Sequence, residues 1–207
     1  MRLSALLRHQ KSTVNVVDLG LISYGAALKE QQKFVDLVKA NKSETHSLNF
    51  ILALEHKPVY TVGIRSKGYT KEEEERLKGL GAEFHRTSRG GLITFHGPGQ
   101  LVLYPICDVR RVSTRQLGVR NFVDKLEQTI IDSASEGFGI QNIVGCGIEG
   151  VSTTSLSRET NRTVTVAEAR PVLLNHFAKN FECLLDSSSS NHYCFPHSKL
   201  SSAVSNS

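Results

Sequence analysis

The 207-residue sequence predicts a single α+β domain, and three observations carry that prediction. Segments with period-two alternation and segments with helical i, i+3, i+4 spacing occur in the same chain. The two kinds do not alternate strictly, which favours α+β over a regular βαβ repeat. The length suits one domain of roughly 100–200 residues, enough to bury about 70% of the surface its unfolded form exposes. The domain is assigned to residues 14–185, between a candidate targeting segment (1–13) and a serine-rich tail (186–207).

Val14 to Leu19 reads as a strand, and Tyr24 to Lys39 as a helix with Leu28, Val35 and Val38 at helical spacing. Leu48, Phe50, Leu52 and Leu54 alternate, and Pro58 to Ile64 is a β-branched run expected to pair nearby. Thr70-x-x-Glu73 is a capping box whose helix should stop at Gly79 or Gly81. Ile93–Phe95 and Leu101–Ile106 are strands around the turn His96-Gly97-Pro98-Gly99. Ser113-x-x-Gln116 is expected to cap a helix with Val119, Phe122, Val123, Leu126, Ile130 and Ala134 on one stripe, ended by Gly137 and Gly139. Thr165-x-x-Glu168 opens a last helix with Leu173, Phe177 and Leu184, in which Pro171 is a potential kink. Nine of the last 22 residues are serine, a composition that favours disorder.

The apolar share of 39% and charged share of 22% exclude a wholly disordered or collagen-like chain. No apolar run approaches the ~20 residues of a spanning helix. Four cysteines (Cys107, Cys146, Cys183, Cys194) do not form a disulfide framework at this length. The net charge of +5 suits an acidic partner without choosing one. A nucleic-acid role has only that charge behind it. Residues 1–17 hold Arg2, Arg8 and Lys11 with no acid, and Leu3, Leu6 and Leu7 can share a helical face. That pattern fits an organellar presequence better than a secretory signal, and an ordinary basic tail equally well.

Two constellations could carry chemistry. Arg89-Gly90-Gly91-Leu92-Ile93-Thr94-Phe95-His96 places a cation, two glycines and an imidazole on one short hairpin. Glycines there let a backbone or ligand approach closely, as in a slot for an acyl chain or a phosphate-bearing carrier. The same glycines also suit a tight hairpin with no ligand. Gly145-Cys146-Gly147-Ile148-Glu149-Gly150 matches the dinucleotide fingerprint formally, but no helix-forming segment follows it, so a Rossmann site is rejected. Cys146 between glycines is instead a candidate thiol nucleophile, which needs a cation or base nearby to become a thiolate. Cys107 reads as core, and the cluster Cys183, His192, Cys194, His197 matches no common zinc spacing.

The stretch RGGLITFHGPGQLVLYPI (Arg89–Ile106) resembles the central signature of the lipoyl(octanoyl) transferases of lipoate biosynthesis. GCGIEGVSTTSL (Gly145–Leu156) resembles that family's cysteine motif, and EHKPVYTVGIRS (Glu55–Ser66) its early strand pair. RETNRTVTVAEARP (Arg158–Pro171) is similar to its animal mitochondrial members. The resemblance implies a mixed-sheet catalytic domain of the biotin/lipoate protein ligase-like fold. It implies transfer of an octanoyl group from acyl carrier protein to a lysine of a lipoyl domain, through a thioester on Cys146, with Arg89, Gly90, Gly91, Leu92, Ile93, Thr94, Phe95 and His96 as substrate-binding residues. No cofactor or metal is implied. The implied partners are octanoyl-acyl carrier protein, the lipoyl domains of 2-oxoacid dehydrogenase complexes and the glycine cleavage H protein. A monomer in the mitochondrial matrix is expected, engaging neither nucleic acid nor membrane.

The chain departs from the family pattern between its long helix and the cysteine motif. Members carry a lysine-bearing strand and further strands there, whereas Gly137 and Cys146 lie nine positions apart and no lysine falls between Lys125 and Cys146. A deletion near residues 138–145 is therefore expected, of the kind a skipped exon leaves, and with it an incomplete domain of low activity. His96 and Lys125 are the candidate replacement groups. The alternatives are a non-catalytic binder of acyl carrier protein or lipoyl domains, using Arg86, Arg89, Arg110, Arg111 and Arg115, and an ATP-dependent lipoate or biotin ligase.

Overall fold

The computed structural model describes residues 11–41, 47–65, 68–143 and 154–188. Among these, β1 (Thr13–Ile22), α1 (Tyr24–Ala40), β2 (Phe50–His56), β3 (Val59–Val62), α2 (Lys71–Lys78), β4 (Glu83–Arg86), β5 (Thr94–His96), β6 (Val102–Ile106), α3 (Val119–Asp132), α4 (Leu156–Glu159), α5 (Val166–Phe181) and β7 (Leu184–Asp186) follow in order. The α+β class is borne out. Cys146, His192, Cys194, His197, residues 1–10 of the candidate targeting segment and most of the serine-rich tail lie outside the described residues, whereas Thr13, the last residue of that segment, already belongs to β1.

The strands divide between two sheets, each mixing parallel and antiparallel pairs. The larger has the order β6-β2-β1-β7, with β1 parallel to β2 and β7, and β6 antiparallel to β2. The smaller has the order β4-β3-β5. β3 follows β2 after only Lys57 and Pro58, yet pairs with β4 and β5 instead. Pro58 has no N–H to give to a ladder, and its carbonyl accepts from Glu83 N at 2.8 Å, which starts the β3–β4 pairing.

Alternation along β1, β2 and β6 sends side chains to two faces. Val14, Val16, Ile51 and Leu103 lie under α3 and α5, packed with Leu174, Phe177 and Phe181. Val17, Phe50, Leu52, Tyr104 and Ile106 lie under α1, against Phe34. The result is a helix–sheet–helix sandwich whose central strand β2 is almost wholly buried.

Both Thr N-caps form: Thr70 accepts from Glu73 N at 3.3 Å and Thr165 from Glu168 N at 3.2 Å. The Ser113 cap does not. Val112 and Leu117 are buried on either side of it, which holds that segment as turns until Gly118 starts α3 without a side-chain cap. Pro171 sits inside α5 without ending it, since buried Ala169, Leu174, Phe177 and Phe181 fasten the helix to the sheet. Leu184 belongs to β7 and not to that helix; Glu182 in the left-handed conformation turns the chain out of α5. Cys107 packs against the core, and burial pushes its thiol up to about 12. Cys183 is buried too, its thiol pushed up to about 11.

Candidate active site

The predicted hairpin folds around β3. β5 pairs antiparallel with it, Thr61 opposite Thr94, Tyr60 opposite Phe95 and Val59 opposite His96. Before β5, the carbonyls of Arg89, Gly90 and Gly91 curl round Gly63, where a Cβ would meet them at 2.6–2.7 Å. Gly91 has φ +86, a conformation open to glycine. Gly63 is thus part of the site, though the sequence marked it only as the glycine of Thr61-Val62-Gly63-Ile64.

Arg89 closes the loop from inside. Its guanidinium donates to the Gly90 carbonyl at 2.9 Å, the Thr61 carbonyl at 2.6 Å and the hydroxyls of Thr61 and Thr94 at 2.9 and 3.0 Å. The expected cation is present, and in this structure it serves the loop's own shape. Ile93 N donates to the Tyr69 hydroxyl at 3.3 Å. Leu92 and Phe95 expose their side chains, as does neighbouring Ile64, and together they give the hairpin an apolar outer surface suited to an alkyl chain.

His96 ends β5 where the two sheets meet. Its Nδ1 lies 2.6 Å from Gln100 Oε1, so the amide oxygen accepts and Nδ1 carries the proton. The turn between them is held by Glu55, which accepts from Gly99 N at 2.6 Å. Behind His96 is His56, fully buried, its ring edge-on at 5.7 Å. His56 Nε2 lies 2.9 Å from the Tyr104 hydroxyl, and Tyr24 packs on the ring at 5.3 Å. Burial pushes His56 below the ordinary imidazole value; the His96 charge adds to this, while the Ile22 carbonyl and Glu83 oppose it. Burial likewise pushes Tyr104 up to about 12, keeping it a neutral partner. On the other side of Tyr24, the His85 ring packs tilted at 5.0 Å, and His85 pairs with Glu83 at 2.9 Å. Sequence reasoning did not single out His56, His85, Tyr24 or Tyr104, although His56 stands in the Glu55–Ser66 stretch and Tyr104 in the Arg89–Ile106 stretch.

The other candidate cation is elsewhere. Lys125 donates to the Asn180 carbonyl at the end of α5 and lies 5.9 Å over the Phe181 ring. With Arg115, Asp124 and Glu182 it lines a cavity of about 390 Å³ that contains no hairpin residue. Thr154 and Ser155, at the end of the cysteine motif, start α4: Ser155 accepts from Arg158 N at 3.2 Å. No group of three or more metal-binding side chains occurs among the described residues.

A protein-family model described as the lipoyl protein ligase A/B catalytic domain matches residues 23–144. An octanoyl-[acyl-carrier-protein]:protein N-octanoyltransferase of Danio rerio, named as mitochondrial, is 39% identical, covering 84% of this chain and 95% of its own. The Homo sapiens protein of the same name is 32% identical, covering 87% of this chain and 99% of its own. Among solved structures, a lipoate-protein ligase A bound with ATP overlays with a TM-score of 0.54 at 12% identity, over 86% of this chain and 88% of its own.

Proposed function

The chain belongs to the lipoyl protein ligase A/B catalytic-domain family, and from that membership we propose that it is an octanoyltransferase of lipoate biosynthesis. The reaction moves an octanoyl group from acyl carrier protein to a lysine of a lipoyl domain through a thioester on Cys146. The similarity to octanoyltransferases across more than four-fifths of the chain carries this reading. The hairpin is consistent with it: Gly90 and Gly91 leave the backbone open, Leu92 and Phe95 offer apolar surface, and His96 supplies an imidazole at the end of β5. Exchange between thioesters is close to balanced, so such an enzyme needs chiefly a thiolate, orientation and an apolar slot. An ATP-dependent ligase is not favoured, because the octanoyltransferases share the sequence and the ligase shares only the fold.

The finer assignments belong to the same proposal. The substrate-binding stretch is Arg89–His96, the acceptors are the lipoyl domains of 2-oxoacid dehydrogenase complexes and the H protein, and the enzyme works as a monomer in the mitochondrial matrix. The mitochondrial names of the relatives support the compartment, with residues 1–13 as the targeting segment. The body, residues 14–185, lacks an internal segment near residues 138–145. The alignment lengths support this: 219 aligned positions occupy 84% of the 207-residue chain, leaving more than forty positions of the Danio rerio relative without a counterpart. The family-model match stops at residue 144, close to that junction.

The test is to incubate the chain with octanoyl-acyl carrier protein and a lipoyl domain, without ATP, and weigh both proteins. One octanoyl group should appear on the lipoyl-domain lysine and, transiently, on Cys146, with none in a Cys146→Ser variant. Without the family's lysine, the rate should be lower than that of the Danio rerio relative by about 100-fold or more, the usual scale of a lost acid–base group. Strict dependence on ATP would sink the reading.

A further inference from the structure

The glycine loop of the hairpin has an inside and an outside. On the inside, Arg89 Nη1 lies 3.3 Å from where a Cβ on Gly91 would stand, and the carbonyls of Arg89, Gly90 and Gly91 press on Gly63. On the outside, no described residue comes within 4 Å of a Cβ built on Gly90, and Leu92 and Phe95 are exposed. A group that fills the inside of a loop is not placed to meet a ligand on its outside. Resting on the function proposed above, we infer that Arg89 acts on the acyl donor through the loop, by shape and not by charge, and that Thr61 of β3 shares that role. Both are positioning residues: together they fix the Arg89–Gly91 backbone against which the alkyl chain lies.

The guanidinium is used as a fork. Nη1 donates to the Gly90 carbonyl in the loop, and Nη2 to the Thr61 carbonyl and the Thr61 and Thr94 hydroxyls on the strands. One planar group thus ties two separate segments, which a point charge does less well. The strand register supplies the acceptors, since Thr61 stands opposite Thr94 across β3 and β5. Thr61 is buried, so its hydroxyl needs a partner inside the fold, and Arg89 provides one at 2.9 Å. The tie reaches the loop backbone as well. Ile64 N donates to the Arg89 carbonyl at 2.9 Å, and Thr87 N and its hydroxyl donate to the Val62 carbonyl at 2.8 and 3.1 Å, on either side of Gly63. A shift of the Arg89 side chain is therefore passed to the three carbonyls packed on Gly63. Arg86 does not stand in for it, being held by the Tyr69 carbonyl and Glu74.

The experiment measures kcat and KM for octanoyl-acyl carrier protein, with a lipoyl domain as acceptor, in the unaltered chain, Arg89→Lys, Thr61→Val and the double variant. Lysine keeps the charge and lacks the second nitrogen of the fork; valine keeps the branched shape and lacks the hydroxyl. Each single variant should raise KM by about 10-fold, the scale of one hydrogen bond to a charged group, with kcat nearly unchanged. The double variant should be no worse than the weaker single one, because both break one arrangement. Thr165→Ala removes the α5 cap and costs stability far from the hairpin; it should leave KM unchanged, which controls for general loosening. If Arg89→Lys does not fold, Thr61→Val decides alone. An unaltered KM in either single variant, or effects that add in the double, would overturn the roles of Arg89 and Thr61 and leave the transferase standing. An unaltered chain that transfers nothing would overturn the transferase reading, and this inference with it.

Discussion

His56 shows how far a single residue's character is set by its neighbours. In the sequence it is the histidine after Glu55; in the fold it is fully buried between Tyr24, His96 and Tyr104. Its lowered proton affinity, caused first by burial, makes stability depend on pH. Above the ordinary imidazole value near 6.5 both folded and unfolded chains hold His56 neutral, and it contributes no pH dependence. As pH falls through that value the unfolded chain takes up the proton and the folded chain does not, so stability is lost until the lower folded value is reached. Urea unfolding at pH 7.5 and 5.5 should show this loss in the unaltered chain and a smaller one in His56→Gln. Equal slopes would mean that the ring is solvated in the folded state. Arg89 and His96 were legible as site residues because they stand within one short motif. His56 was not, because burial depends on strands about forty positions away.

At the scale of elements, local signals were read correctly where the chain's own backbone satisfies them. Thr70 and Thr165 cap their helices through bonds to residues three positions on. The signals failed where long-range packing intervened, as at Ser113 between buried Val112 and Leu117. β4 (Glu83-Phe84-His85-Arg86) has no apolar alternation to announce it and exists because β3 offers it an edge. The junction of β3 with the glycine loop yields a sharp prediction. Gly63→Ala would push a methyl into three backbone carbonyls, which cannot rotate away as a side chain could. Overpacking of this kind costs about 1–3 kcal/mol, and it should also raise KM for the acyl donor as the Arg89–Gly91 loop shifts. Unfolding and transfer assays on the variant would check both, and an unchanged KM would separate the loop from the substrate.

For the molecule as a whole, the larger sheet ends on β6, which among the described residues pairs with β2 alone. Over Leu101–Cys107 that edge carries no charged residue, and Pro105, which offers no N–H, is what blunts it against edge-to-edge association. Beside it, Val119, Val123 and Ile130 of α3 are exposed, and a mostly apolar cavity of about 200 Å³ opens between Leu103, Pro105, Leu126, Ile130, Leu173 and Phe177. The proposed missing segment is the natural source of cover for such a face. The chain should therefore aggregate on dilution from denaturant and melt over a broad range; a sharp, reversible, cooperative transition would speak for a complete core.

By itself the sequence determined the α+β class, two helix starts, the hairpin motif and the family it resembles, because these depend on spacing within a few residues. Tertiary structure alone decided that the strands form two sheets, that Lys125 serves a helix end, and that Gly63 and His56 pack against the Arg89–His96 hairpin. Those outcomes depend on which distant segments pack together, and pattern along a chain carries little record of contact across it.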